Sequence, residues 1–317
     1  MEKKRILITG GSGFLGRNLA LKLKEQYSVY IGARNNKQNF QAGNLTGCEF
    51  LPLDVSNIES VRDAVRECKP HIIIHAAATK FVDLSEKYPL ETIDVNVLGS
   101  QNIARVAMDS NVEFVLGIST DKASPPIRNI YGLSKASMER MFCLLNGHSS
   151  TKFAAVRYGN VAWSTGSVLP IWKKMHEETG LIGTTGPEMR RFFFTIEHAV
   201  KLVETAINNV DLIQGQILSR VMKSAQIKDI LNVWIENYGG KWQHIAGRPG
   251  ERVDEYLVGE SELDYCQVLE FDNVKHFLIS PNTKVETPYP ATFTSMEAER
   301  LSKGEILEII EAQPDTL

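Results

Sequence analysis

Cysteine is scarce in this sequence, and the few present do not cluster. Cys48, Cys68, Cys143 and Cys266 are the four in 317 residues. None forms a C-x-x-C pair, and no histidine stands at zinc-ligand spacing from them, which argues against a structural zinc module or a redox dithiol and leads us to expect no metal. Four buried thiols in a reducing compartment is the expectation. Long apolar runs are missing too: no segment approaches the roughly 18 to 20 apolar residues that span a bilayer. The basic start "MEKKR" precedes the apolar "ILIT", but that run meets a glycine-rich turn too soon for a secretory signal. A cytoplasmic protein without a membrane partner is expected. Excess charge of one sign is also absent. Lys and Arg number 35 against 38 Asp and Glu, a net −3, so there is no basic field to attract nucleic acid.

What is present is an ordinary globular composition, 43% hydrophobic and 23% charged. The length suits two domains, or one large α/β unit with an appended lobe. Apolar strand-like runs alternate with helical spacing: "RILITG", then "RNLALKLKEQY", then "SVYIGAR". The alternation continues through "CEFLPLDV", "IESVRDAVREC", "HIIIHAAA", "NVLGSQNIARVAMDSN" and "EFVLGIST". Continuous apolar strands joined by crossover helices predict an α/β fold, a doubly wound parallel sheet covered on both faces. Ligands would then sit at the carboxyl ends of its strands. Beyond about residue 165 the texture changes to loops such as "STGSVLP", "TGLIGTTGPEMRR" and "GRPGERVDEY". With no repeat and no flexible linker, the second part reads as a smaller C-terminal lobe packed on the sheet. The apolar "IEHAVKLVETAI" helix is a candidate to return to the first lobe.

In "ITGGSGFLGRN", Gly10, Gly13 and Gly16 follow a predicted strand and open a helix. Glycines allow a tight turn and a close approach to a pyrophosphate, whose charge the helix N-terminus stabilises. After the second strand, where a ribose-binding acid commonly stands in NAD enzymes, the chain has Arg34. A guanidinium there can pair with a 2′-phosphate and favours NADP; an exposed strand-end Arg is the plain alternative. Asp54 ends the third strand, where it can accept from an adenine amino group or cap a turn.

Tyr131 and Lys135 are spaced i, i+4 and share a helix face if "YGLSKASMERMF" is helical. A phenol near an ammonium can take a proton from a sugar hydroxyl. Alone, the pair would be common helix-surface residues; placed after "IST" and downstream of the glycine turn, it reads as catalytic. "STDK" puts Lys122 beside Asp121. To act as a base near pH 7, a Lys must fall by about three pH units from its usual pKa, roughly 4 kcal/mol against the charged form. Burial, Lys135 and an oxidised nicotinamide push it down, and Asp121 pushes it up. A solvated loop Lys, or one that binds sugar without moving a proton, are the other readings. His75, inside a buried strand, reads as a satisfied core histidine. Arg190 and Arg191 read as a surface pair, with diphosphate contact as the alternative.

These segments carry a resemblance. "TGGSGFLG", "HAAA", "NVLGSQN", Ser119 with Thr120, and Tyr131 with Lys135 resemble the extended short-chain dehydrogenases that act on nucleotide sugars. "STDKA", "YGLSK", "RYGNVAWSTGSVLP", "GPEMRRFFFT" and "GRPGERVDE" are similar to the polysaccharide-biosynthesis branch, and within it to the inverting UDP-N-acetylglucosamine 4,6-dehydratases. The match runs from about residue 5 to 310. Asp83 stands where a Pro is common after "HAAA", and "GFLG" replaces the more usual "GSFG".

The resemblance implies a Rossmann domain at residues 1–165 that binds NADP, and a nucleotide-sugar lobe at 166–317, partly interleaved with it. Cofactor contacts would come from Gly10, Ser12, Gly13, Phe14, Leu15 and Gly16, then Arg34, Asp54 and Val55. Ala76, Ala77, Ala78 and Asn96 would follow, and Ser119, Tyr131, Lys135 and Tyr158 would complete the set. Substrate contacts would come from Lys80, Asn160, Val168, Arg191, Arg248 and Glu251. In such dehydratases hydride leaves C4 of the hexose, a proton leaves C5, water leaves C6, and hydride returns to C6. Tyr131 would take the 4-hydroxyl proton with Thr120 beside it, Lys122 the C5 proton, and Asp121 would help protonate the departing oxygen. Lys122 in place of the Glu of many glucose-nucleotide dehydratases points to the N-acetylglucosamine branch. A UDP-hexose 4-epimerase, a 4-keto-sugar reductase and a non-enzymatic NADP-sensing scaffold are the alternatives. A homo-oligomer built through first-lobe helices is implied as well.

Overall fold

The computed structural model describes residues 2–247 and 251–314. The first half runs β1 (Arg5–Thr9), α1 (Phe14–Leu23), β2 (Ser28–Ala33), α2 (Asn36–Thr46), β3 (Glu49–Pro52), α3 (Ile58–Cys68) and β4 (Ile72–His75). It continues with α4 (Val82–Lys87), α5 (Pro89–Ile93), a π-helical turn (Asp94–Leu98), α6 (Gly99–Asp109) and β5 (Phe114–Ile118). A 3-10 turn (Asp121–Ala123), α7 (Ile130–Leu145) and β6 (Lys152–Arg157) complete it. Then come β7 (Asn160–Val161), α8 (Val168–Thr179), β8 (Leu181–Thr184), β9 (Arg190–Phe194), α9 (Ile196–Asn208), β10 (Ile217–Arg220) and β11 (Ser224–Gln226). The last strands are β12 (Lys241–His244), β13 (Tyr256–Val258), β14 (Cys266–Phe271), β15 (Val274–Ile279) and β16 (Phe293–Thr294).

The main sheet has the order β14-β15-β10-β6-β5-β4-β1-β2-β3. From β3 to β10 the neighbours are parallel, and β14 and β15 add an antiparallel hairpin at the β10 edge. Period-2 alternation along each strand splits the core into two layers. Ile6, Ile8, Ile72 and Ile74 face one layer with α1 and α9, whereas Leu7, Ile73 and Val115 face the other with α3 and α6. The doubly wound α/β sheet expected from the sequence is therefore present. A cut at residue 165 would strand part of it, because β10, β14 and β15 rejoin the main sheet and α9 packs on α1. Small sheets of β7, β9 and β11 and of β8 and β12 build the surface over the strand ends. Among the described residues no helix is long and apolar enough to cross a membrane.

Candidate active site

Strand order reverses between β1 and β4, which opens a crevice at their carboxyl ends. The turn out of β1 demands glycine. Gly10 has φ +68°, and a Cβ there would lie 2.8 Å from Ala77 N; one on Gly16 would lie 2.6 Å from Gly10 O. Gly13 caps α1 with no side-chain hydrogen bond, and the first turn carries no acidic residue. The backbone N–H groups there remain open to an anion, so this cradle fits the pyrophosphate of a dinucleotide.

A cavity of about 990 Å³ extends from this turn across the molecule. Gly10, Ser12, Gly13, Phe14, Leu15 and Gly16 line it, as do the exposed Arg34 and the Val55 and Ala76–Ala78 wall. Ser119, Thr120, Lys122, Tyr131, Lys135 and Tyr158 line it further on, together with Lys80, Asn160, Val168, Arg191 and Glu251. Arg248 lies outside the described residues. Three expected residues do not reach the cavity surface. Asp54 Oδ1 accepts from Ser56 N and Oγ, at 3.0 and 2.7 Å, forming a turn. Asn96 accepts from Thr79 N at 2.9 Å and donates to Thr79 O and Ser134 Oγ, so it braces the cavity wall against α7. Asp121 is fully buried behind Lys122. Asp121 therefore meets the cavity only through its contact with Lys122.

The reactive cluster is assembled by backbone packing. Thr120 caps the 3-10 turn, and its hydroxyl donates to Asp121 Oδ1 at 2.9 Å. Asn129 caps α7 through Gly132 N at 2.7 Å. A Cβ on Gly132 would lie 2.2 Å from Lys122 O, so glycine alone lets α7 close against the turn and bring Tyr131 to Lys122. Lys135, one helical turn on, donates to Ile118 O at 2.8 Å. Burial lowers Lys135 to about 8. Burial also pushes Tyr131 up to about 12, although Lys122 and the Thr120 hydroxyl oppose the shift. Ser119 Oγ, Asn160 Oδ1 and Ser167 Oγ are buried on the cavity wall without a protein hydrogen bond, which suits a polyhydroxylated ligand.

At Lys122 the structure adds a second carboxylate to the one next to it in sequence. Lys122 Nζ is 3.0 Å from Asp121 Oδ1 and 3.5 Å from Glu255 Oε1. Burial pushes the ammonium pKa down, but the two carboxylates outweigh it and leave Lys122 raised. Glu255 was not among the expected site residues, although it stands in "GRPGERVDE"; no periodicity or spacing in the sequence ties it to Lys122. Arg191 is buried against the cavity and lies 3.8 Å from Glu255, so it is no surface residue; Arg190 pairs with Asp254 at 3.1 Å. His75 is a core histidine, bonded to Thr9 and Ser100 and lowered to about 3 by burial.

A glycine-turn dinucleotide cradle facing a Tyr and Lys pair on one helix defines a short-chain dehydrogenase/reductase. The chain matches the "Polysaccharide biosynthesis protein" family over residues 6–275 and belongs to it. It is 32% identical over 296 residues to the UDP-N-acetylglucosamine 4,6-dehydratase (inverting) of Campylobacter jejuni, spanning 89% of this chain and 84% of that protein. It is also 34% identical over 274 residues to the UDP-glucose 4-epimerase of Rickettsia bellii, spanning 82% and 79%. Among solved structures, Pen from Bacillus thuringiensis superposes with a TM-score of 0.90 at 28% identity over 100% of this chain and 99% of that one. The Thermus thermophilus UDP-glucose 4-epimerase in complex with NAD shares the fold, with a TM-score of 0.69 at 22% identity over 78% and 88%.

Proposed function

We propose that the protein modifies nucleotide sugars as a UDP-N-acetylglucosamine 4,6-dehydratase that inverts C5 and uses NADP. The observation that carries this reading is Lys122, a cavity-lining ammonium held between two carboxylates beside Tyr131. A 4-epimerase needs an acid–base group only at the 4-hydroxyl, whereas dehydration needs a second one at C5. The glycine cradle and Arg34 would hold the cofactor, which when bound supplies a reversible hydride acceptor.

Tyr131 would accept the 4-hydroxyl proton, with the Lys122 ammonium and the Thr120 hydroxyl working against the burial that raises the phenol. Lys122 would then remove the C5 proton, made acidic by the 4-ketone, and Asp121 would exchange protons with Lys122 as water leaves C6. Asn160 and Arg191 would orient the sugar and diphosphate, Arg191 through charged donors, and Glu251 would hold the nucleoside ribose. The 4-epimerase is the second reading, favoured by the similarity to the Rickettsia protein.

Proton NMR of the purified protein with UDP-N-acetylglucosamine in deuterium oxide, without added cofactor, separates the two. A 6-deoxy-4-keto product with deuterium at C5 is expected, and its coupling constants report inversion. The 4-epimer without deuterium at C5 would replace the dehydratase by the epimerase.

A further inference from the structure

Glu255 is almost fully buried, at 2% exposure, and its carboxylate faces Lys122 at the edge of the cavity. It precedes β13 and is fixed on every side. Its N–H donates to Ser295 Oγ at 3.0 Å, and its carbonyl accepts from Ser295 N at 2.8 Å. Arg252 Nε lies 2.9 Å from Oε2, and Arg191 Nε lies 3.8 Å from Oε1. Arg252 in turn donates to Pro126 O at 2.9 Å, which ties this segment to the loop that carries Asp121 and Lys122.

We propose that Glu255 is a positioning residue that, braced by Arg191 and Arg252, holds the Lys122 ammonium against Asp121 and so directs the proton Lys122 must shed. The inference rests on the dehydratase reading of the same cavity. Burial opposes ionisation of Glu255, but the Lys122 ammonium, followed by the Arg191 and Arg252 guanidiniums, outweighs it and holds the carboxyl below its usual range. Asp121 is different: its carboxyl is raised, chiefly by burial, and the nearby Glu255 charge adds to the shift. It is also nearer to Lys122, at 3.0 Å against 3.5 Å. When Lys122 becomes a base, one N–H bond at Nζ breaks and one O–H bond forms on Asp121. Both groups become neutral, and the Glu255 charge is unchanged. An ion pair of opposite sign thus becomes two uncharged groups, a change that entry of a sugar and loss of water would favour.

The test is competitive labelling of the as-isolated protein with acetic anhydride from pH 6 to 11, with Lys122 acetylation quantified by peptide mass spectrometry. Wild-type Lys122 should reach half-maximal labelling only above the pH ordinary for a lysine, because the two carboxylates raise it. Removing a carboxylate at this range should lower the half-labelling pH by about one to three units, so Glu255→Gln is expected to react well below wild type. Glu255→Asp keeps the charge but withdraws it by a methylene, and should fall between the two. It decides alone if Glu255→Gln does not fold. Unchanged labelling in a variant with native circular dichroism would overturn the proposal. In turnover with UDP-N-acetylglucosamine, the acidic limb of kcat should shift to lower pH in Glu255→Gln. If wild type gives no 4-keto product, the dehydratase reading fails, and the labelling still decides the role of Glu255.

Discussion

Arg34 shows what one side chain can decide. It follows β2 directly, is exposed, and lines the cavity close to the glycine cradle in sequence and fold. A hydrogen bond to a charged group contributes about 1.5 to 3 kcal/mol, so Arg34→Ala should weaken NADP binding about 10- to 100-fold and leave NAD nearly unchanged. Calorimetric titration with both cofactors measures this, and equal losses would show that Arg34 does not sense the 2′-phosphate. His75 illustrates a residue legible from its setting alone. Ser100 Oγ donates to Asn96 O, so His75 must donate to Ser100 through Nε2 and accept from Thr9 at Nδ1. Both ring nitrogens are satisfied in the neutral form, as an apolar strand context suggests. Glu255 was not legible, because its partners Lys122 and Arg191 come from segments 133 and 64 residues earlier in the chain. Only the fold brings them together.

At the level of elements, α7 does most to build the site. The i, i+4 spacing of Tyr131 and Lys135 was visible in the sequence, but the reason the helix can reach the turn that carries Lys122 was not. That reason is Gly132. Its missing Cβ would stand 2.2 Å from Lys122 O, so Gly132→Ala should force α7 or the turn to move. A displacement of about 1 Å can cost about 100-fold in rate. The expected outcome is a kcat loss of that order in the NMR assay, with thermal unfolding still cooperative; unchanged turnover would show that the helix tolerates the shift. The early strands β1, β2, β4 and β5 were legible because short, continuous apolar runs alternate with helical spacing. The return of β10 was not, since "ILSR" is short and weakly patterned. The β14–β15 hairpin did carry a readable signal: Asp272 and Asn273 take φ +51° and +60°, the conformation of a two-residue type I′ turn.

The molecule as a whole leaves an apolar helical face exposed on the first lobe. Leu84 on α4 and Leu90 on α5 are 48% and 79% exposed, and Leu133 on α7 is 50% exposed. Tyr88, between α4 and α5, is 50% exposed. Both short helices pack beside α7, so these side chains belong to neighbouring elements rather than to scattered surface points. Exposed apolar side chains gathered on neighbouring elements suit an interaction site, and a closed two-fold assembly is the common outcome for identical chains. The same helix α7 carries Tyr131 and Lys135, which line the cavity, so association here would stiffen the element that holds the proposed catalytic pair. Light scattering after size exclusion should give a dimer or larger assembly for the wild type. Leu90→Glu combined with Leu133→Glu, which would bury two charges in the interface, should give a monomer. The monomer should lose turnover along with its assembly if the contact stiffens α7, and should keep full turnover if the contact only joins the subunits. A wild type that is monomeric at all concentrations would assign this face to a different partner.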